Sequence, residues 1–197
     1  SGAQLTYKSP ESDLSGTQLG DYKLVRKIAV GGMGEVYEGL QLKLDRAVAI
    51  KLLSEELSRE PEFLARFERE AKSAAALNHP NVVQVYDYGQ AKGQYFFVME
   101  LVDGTDLSIY VKEHGKLPIA TALDYCEQAV KALKFAASHA IIHRDVKPAN
   151  LMLTRDGLVK VSDLGLAKKL TDDSEVTMTG VGMDSPHFLA PEQANDA

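Results

Sequence analysis

Apolar positions along the chain follow two periods, and the change between them divides it. Residues 22–28 alternate in the manner of a strand at Tyr22, Leu24 and Arg26, and a glycine cluster separates them from a second apolar run at 36–40. That order reads as strand, tight turn, strand, and residues 47–53 read as a third strand. Over 61–77 the period becomes helical, with Leu64, Phe67, Ala71 and Ala74 on one stripe, and Asn78-His79-Pro80 ends it because proline disfavours helix in the residue before it. Two more strand-like runs, 82–88 and 95–101, are expected to form a hairpin marked by Gly89 and Gly93. After a break at Asp103-Gly104 the pattern predicts a short helix at 107–114 and a long one at 119–139. The long helix starts after Pro118 and carries Leu123, Cys126, Val130, Leu133 and Ala137 as its apolar stripe. Short strands are expected at 141–142, 151–153 and 158–161, and 168–191 reads as a long irregular segment. Residues 1–20 are small and polar without a period and read as a tail or linker. A strand-rich half thus precedes a helix-rich half, an α+β arrangement with no internal repeat.

Composition narrows the partners. The 197 residues suffice for one domain of two lobes, and 45% of them are apolar. A net charge of -6 argues against nucleic acid as the main partner, since neutralising its phosphates needs an excess of Lys and Arg. The single cysteine, Cys126, excludes an intrachain disulfide, fits a reducing cytosol and reads as a small core residue of the long helix. No apolar run reaches bilayer length and no signal-peptide pattern opens the chain. The expectation is a soluble, cytoplasmic chain without membrane contact of its own, with an anchor elsewhere in a longer parent left open.

Four places concentrate chemistry. Gly31, Gly32 and Gly34 stand between two strands, where bare backbone can approach a phosphate closely, although a glycine hairpin alone is an ordinary turn. No Gly-Lys-Ser/Thr follows, and the next element is a strand, so neither a Walker A loop nor a dinucleotide-binding fingerprint fits. Lys51 ends the run Val48-Ala49-Ile50, either as a snorkelling surface lysine or as a phosphate ligand held by a carboxylate. Glu70 is the candidate carboxylate, unless it only pairs with Arg66 one helical turn earlier. The run from His143 to Asn150 sets an acid, two cations and an amide on a loop between strands. There Asp145 can take a proton from a hydroxyl, Lys147 can steady a transferring phosphoryl group, and Asn150 can ligate magnesium. The carboxylate of Asp163, in Asp163-Leu164-Gly165, is a second oxygen ligand of the kind magnesium takes alongside substrate phosphates.

In this order these motifs resemble the protein-kinase superfamily: glycine-rich loop, Val-Ala-Ile-Lys, helix glutamate, His-Arg-Asp-x-Lys-x-x-Asn, Asp-x-Gly and Ala190-Pro191-Glu192. The wording Gly31-Gly32-Met33-Gly34-Glu35-Val36-Tyr37 is most similar to bacterial Ser/Thr kinases of the eukaryotic type. The resemblance covers residue 22 to the chain end. It implies a bilobal kinase-like fold, a β-rich N-lobe with one main helix at about 21–102 and a partial helical C-lobe at about 103–197. It implies ATP and Mg2+ as cofactors and Ser/Thr of a protein as substrate. By the resemblance Ile28, Gly31, Gly32, Gly34 and Val36 belong to the nucleotide site, with Val36 and Ala49 above the adenine and Met152 below it. Lys51 binds the α- and β-phosphates and pairs with Glu70. Met99 is the gatekeeper, and Glu100 and Val102 offer backbone hydrogen bonds to adenine. Asp145 is the catalytic base, Lys147 the phosphoryl clamp, and Asn150 and Asp163 the metal ligands. Lys147 two residues after Asp145, and Ser185 in the substrate-facing stretch, point to Ser/Thr rather than Tyr. Arg144 beside Asp145 implies control by phosphorylation of the activation segment, at Thr177 and Thr179.

The sequence departs from the pattern at Ala29, where the first loop glycine stands in the family, at Leu164 in place of Phe, at the small Ala74, and at Asp184 in place of glycine. In the family several helices follow Ala-Pro-Glu, whereas this sequence stops at Ala197, just past that motif. That leaves three expectations open: a fragment of a longer domain, a deliberate truncation, or a homodimer that completes the lobe by segment exchange. It also leaves a second functional reading, a catalytically incomplete nucleotide-binding or interaction module.

Overall fold

A computed structural model of the chain describes residues 13–31, 34–164 and 188, apart from the side chains of Arg66 and Glu70. The chain divides into two compact units, residues 1–64 with 87–101, and residues 65–86 with 102–197.

The first unit is built on a six-stranded sheet. Its strands are β1 (Gln18–Leu19), β2 (Tyr22–Gly31), β3 (Gly34–Gln41), β4 (Arg46–Leu53), β5 (Val85–Ala91) and β6 (Gln94–Glu100), in the order β1-β2-β3-β4-β6-β5. Period-2 patterning sends Tyr37, Val48, Ile50 and Val98 to one face, where all four are fully buried. Tyr22 and Leu24 are buried as well, but a bulge between Leu24 and Arg26 breaks the alternation. Arg26 therefore leaves the core and pairs at 2.6 Å with Glu38, its cross-strand partner. The supposed tail is also shorter than expected. Gln18–Leu19 pair with β2, the amide of Gly16 donates to the Leu24 carbonyl at 2.8 Å, and Leu19 is buried. The β5–β6 turn falls at Lys92-Gly93, both with positive φ (53° and 78°), the geometry that suits a two-residue hairpin. Gly89 is not part of that turn. It lies inside β5 with Phe96 packed over it, so that an added Cβ would meet the ring at 3.2 Å.

Between the sheet strands, α1 (Glu55–Ser58) is a single turn capped by Ser54, and α2 (Pro61–Ala75) realises the predicted helix. Phe67, Ala71 and Ala74 of its stripe are buried.

The second unit adds β7 (Gly104–Asp106), α3 (Leu107–His114), α4 (Ile119–Ser138), a 3-10 turn (Pro148–Asn150), β8 (Leu151–Thr154) and β9 (Val159–Val161). The strands form a three-stranded antiparallel sheet, β7-β8-β9. Asp106 caps α3 by accepting the Ile109 amide at 2.9 Å, and Gly115 ends it at φ 81°. The core gathers Leu77, Val82, Ala129, Ala132, Ala136, Val161 and Leu164.

Two expectations fail around α4. The predicted stripe of Leu123, Cys126, Val130 and Ala137 is exposed, with Leu123 64% and Val130 59% accessible, and Cys126 is a surface thiol rather than a core residue. The helix instead buries Ala129, Ala132 and Ala136. Small side chains let its backbone come close to β9, so the period was legible but the buried face follows the alanines. Residues 141–142 form no strand. The Ile141 amide closes the end of α4 on the Ala136 carbonyl at 3.0 Å, and Ile141 packs against the core. Because Ala132 is fully buried, Ala132→Leu is expected to lower stability by about 1–3 kcal/mol through overpacking. Val130→Lys on the exposed face is expected to stay within about 0.5 kcal/mol in the same chemical denaturation series.

Candidate active site

In the first unit four of the site candidates, Val36, Ala49, Lys51 and Met99, line one face of the sheet. At the end of the β2–β3 hairpin Gly31 pairs with Gly34, whose φ of 137° a side chain rarely adopts. A Cβ at Gly34 would lie 1.9 Å from the Leu52 carbonyl oxygen, so the backbones of β3 and β4 meet there at a distance only glycine permits. Val36 stands directly opposite Lys51, and Ala49 directly opposite Met99. Directly paired residues share a face, so these four lie together on the side away from Tyr37, Val48 and Ile50. Lys51 is half-buried there. Ile28 falls within the second β2 bulge and is exposed, and Glu100 ends β6 opposite Val48. Gly32 lies outside the described residues, as does the side chain of Glu70 and with it the expected Lys51–Glu70 pair.

In the second unit the loop from His143 to Asn150 closes on itself. The Asp145 amide donates to Nδ1 of the buried His143 at 3.3 Å, and Arg144 between them takes a positive φ of 65°. Lys147 Nζ stands 3.1 Å from Asp145 Oδ2. Asn150 Nδ2 donates to the same oxygen at 3.0 Å and to the Asp145 carbonyl at 2.8 Å. An ammonium and an amide thus fix one oxygen of Asp145 and leave Oδ1 outside these bonds. The Asn150 carbonyl in turn accepts from the Ser162 amide at 3.0 Å and the Ser162 hydroxyl at 3.2 Å. With Leu151 paired to Val161, this places Asp163 one residue beyond the partner of Asn150. Asp163 also has a positive φ, 55°. Such backbone conformations in non-glycine residues are costly and gather at functional sites. Met152 is half-buried on β8, opposite Lys160, and Val102 is half-buried ahead of β7.

The donor set suits a hard divalent cation. Asn150 spends both hydrogens of Nδ2 on Asp145, which leaves its side-chain oxygen outside these bonds, and Asp163 follows the adjacent strand. Among the described residues no three His, Cys, Asp or Glu side chains form a closed metal cage. Two protein oxygens completed by phosphate and water are the arrangement magnesium favours. Arg144 is exposed, and Thr177, Thr179 and Ser185 lie outside the described residues.

Sequence reasoning missed the supports of this loop. Buried Asn81 donates through Nδ2 to the Val159 carbonyl at 2.8 Å and to Gln128 Oε1 at 3.2 Å, and Gln128 Oε1 also accepts the Val159 amide at 2.8 Å. The Val161 amide donates to the Asn81 carbonyl at 2.8 Å. These bonds fasten β9, which ends two residues before Asp163. Asn81 follows a helix-stopping Asn-His-Pro run, and polar residues there carry no period that would mark them as buried.

A glycine hairpin beside a strand lysine, and an Asp-Lys-Asn loop beside a second aspartate, are the parts of a protein kinase domain. The protein kinase domain family model matches residues 22–196, and the chain belongs to that family. Among its relatives, the serine/threonine-protein kinase PknA of Mycobacterium tuberculosis is 45% identical over 183 residues, which cover 90% of this chain and 42% of PknA. The serine/threonine-protein kinase PrkC of Bacillus subtilis is 42% identical over 175 residues, covering 89% of this chain and 27% of PrkC. The crystal structure of the Mycobacterium tuberculosis PknI kinase domain matches with a TM-score of 0.70 at 35% identity, over 78% of this chain and 63% of that one. The chain therefore spans less than half the length of these curated relatives. Use of ATP and a divalent metal ion goes with the family in general. Among the described residues no helix is long and apolar enough to cross a membrane.

Proposed function

We propose that this chain carries the ATP- and Mg2+-dependent transfer of a phosphoryl group to serine or threonine of protein substrates. The observation that carries the proposal is the convergence of Lys147 and Asn150 on one oxygen of Asp145, at 3.1 and 3.0 Å. That geometry orients the carboxylate and keeps its second oxygen for a substrate hydroxyl. As the hydroxyl oxygen bonds to the γ-phosphorus and the bridging bond to the β-phosphate breaks, Asp145 takes the hydroxyl proton and ADP leaves. Lys147 offsets charge on the phosphoryl oxygens, and Lys51 does so on the α- and β-phosphates. Magnesium, held by Asn150 and Asp163, would neutralise phosphate charge. Gly31 to Val36, with Ala49, Met99, Glu100, Val102 and Met152, serve nucleotide binding. The Ser/Thr preference is supported by Lys147 two residues after Asp145 and by the likeness to the serine/threonine-protein kinases PknA and PrkC. Arg144 receives phosphate on Thr177 or Thr179 in an autophosphorylated form, Ser185 serves the substrate stretch, and the domain works in the cytosol. No geometric observation favours the alternative of a catalytically incomplete module.

The test is intact-mass and phosphosite analysis after incubation with Mg-ATP. Phosphate on Thr177 or Thr179, absent when magnesium is withheld, is the expected result. No phosphate, in protein that still binds Mg-ATP, would remove the catalytic reading for this chain.

A further inference from the structure

Behind the glycine hairpin, on the face of the sheet opposite Lys51, lies a polar network that the proposed reaction does not use. Tyr37 is fully buried, yet its hydroxyl is bonded twice: it donates to Glu35 Oε2 at 2.6 Å and accepts the Leu14 amide at 3.1 Å. The other Glu35 oxygen takes Lys27 Nζ at 2.5 Å, and that ammonium also stands 5.6 Å from the centre of the Tyr37 ring. Lys27 is the cross-strand partner of Tyr37, and Glu35 directly follows Gly34. The bonds therefore start one residue from the end of the hairpin and finish in the segment ahead of β1. That segment is itself fixed: Asp13 Oδ1 accepts the Ser15 amide at 3.0 Å and the Ser15 hydroxyl at 2.7 Å, and Gly16 and Leu24 are bonded through the Gly16 amide.

Both hydroxyl and ammonium are suited to hold this arrangement. Burial, then the bond to Glu35, pushes the Tyr37 phenol up, and the bond to Glu35 pushes the Lys27 ammonium up. At neutral pH tyrosine keeps the proton it donates and lysine keeps its charge. An interaction this close to Gly34 limits how far the hairpin's end can move, and ordering a loop before a ligand arrives lowers the cost of binding.

We propose that Lys27, Glu35 and Tyr37 form a strut by which the segment around Leu14 positions the glycine hairpin for nucleotide phosphates. The three are positioning residues, and the proposal rests on the reading of that hairpin as the phosphate-binding element. It makes residues 13–19 a working part of the site, so that whatever displaces them weakens phosphate binding without touching the adenosine end.

The test compares Tyr37→Phe, which keeps the ring and removes the hydroxyl, and Leu14→Pro, which removes the donating amide, with the unmutated protein. Affinities for Mg-ATP and for adenosine are measured by calorimetry, and amide hydrogen exchange at residues 34–37 is followed without ligand. Each variant is expected to bind Mg-ATP roughly three- to tenfold more weakly, the equivalent of one lost hydrogen bond, with adenosine affinity within about twofold. Exchange at 34–37 is expected to quicken in both. Equal losses for ATP and adenosine would mean general loosening and overturn the strut, as would unchanged ATP affinity with unchanged exchange. If the unmutated protein binds no Mg-ATP, the phosphate-binding reading itself fails, and the strut's role falls with it.

Discussion

Asp145→Asn is expected to slow phosphoryl transfer by about 10²–10⁴-fold, the range that a positioned general base contributes, while leaving Mg-ATP affinity and the denaturation midpoint nearly unchanged. The substitution is nearly isosteric, and the local geometry can accept it. Asn150 Nδ2 and Lys147 Nζ both approach Oδ2, so an asparagine can turn its single oxygen toward those two donors. Its amide nitrogen then occupies the place of Oδ1. What disappears is the oxygen that can accept the hydroxyl proton. A structural role for Asp145 predicts the opposite pattern, lower stability with activity lost only in proportion to unfolded protein. Initial rates of autophosphorylation or of peptide phosphorylation, measured beside urea denaturation, separate the two. Transfer retained within about tenfold would remove Asp145 from the role of base.

How much of this was legible in the sequence depends on whether a residue's role is set by local order or by packing. The Asp-Lys-Asn loop was legible because its chemistry is contiguous: Asp145, Lys147 and Asn150 sit within six residues, and the structure brings their side chains together. The strands themselves were legible from their apolar runs, but that Val36, Ala49, Lys51 and Met99 share one face follows from the register of β3, β4 and β6. Period alone could not choose which side of α4 is buried. Leu123 and Val130 are the more hydrophobic residues, yet the alanines at 129, 132 and 136 win because they allow the closest approach to β9. The bulge that turns Arg26 outward has no signature in the alternation of residues 22–28. Least legible were the long-range polar contacts. Asn81 meets Val159 across 78 positions of sequence, and Tyr37 meets Leu14 through a backbone amide that any residue but proline would have supplied. Neither carries a motif, and both become visible only once the chain is folded.

The glycine hairpin offers the second large effect, because its ends differ in what they tolerate. At Gly34 an added methyl group would sit 1.9 Å from the Leu52 oxygen and 3.0 Å from both the Leu52 carbonyl carbon and the Ser54 amide nitrogen. All three are backbone atoms of β4 and its exit, so no side chain can swing aside. The φ of 137° at Gly34 adds conformational strain for any L side chain. Gly34→Ala must therefore part β3 from β4 at the point where Gly34 pairs with Leu53, two residues beyond Lys51. It is expected to cost more than about 1 kcal/mol of stability and to weaken Mg-ATP binding by roughly tenfold or more. Gly31→Ala is the internal control. Gly31 pairs with Gly34 across the same hairpin, but an added Cβ there meets nothing within 4 Å and its φ is ordinary. Its stability is expected to stay within about 0.5 kcal/mol of the unmutated protein. If the two variants behaved alike in denaturation and in calorimetry, the close approach of β3 to β4 would not be what requires glycine at position 34. If only Gly34→Ala loses affinity, the same backbone contact that closes the sheet also sets where the hairpin stands to receive phosphate.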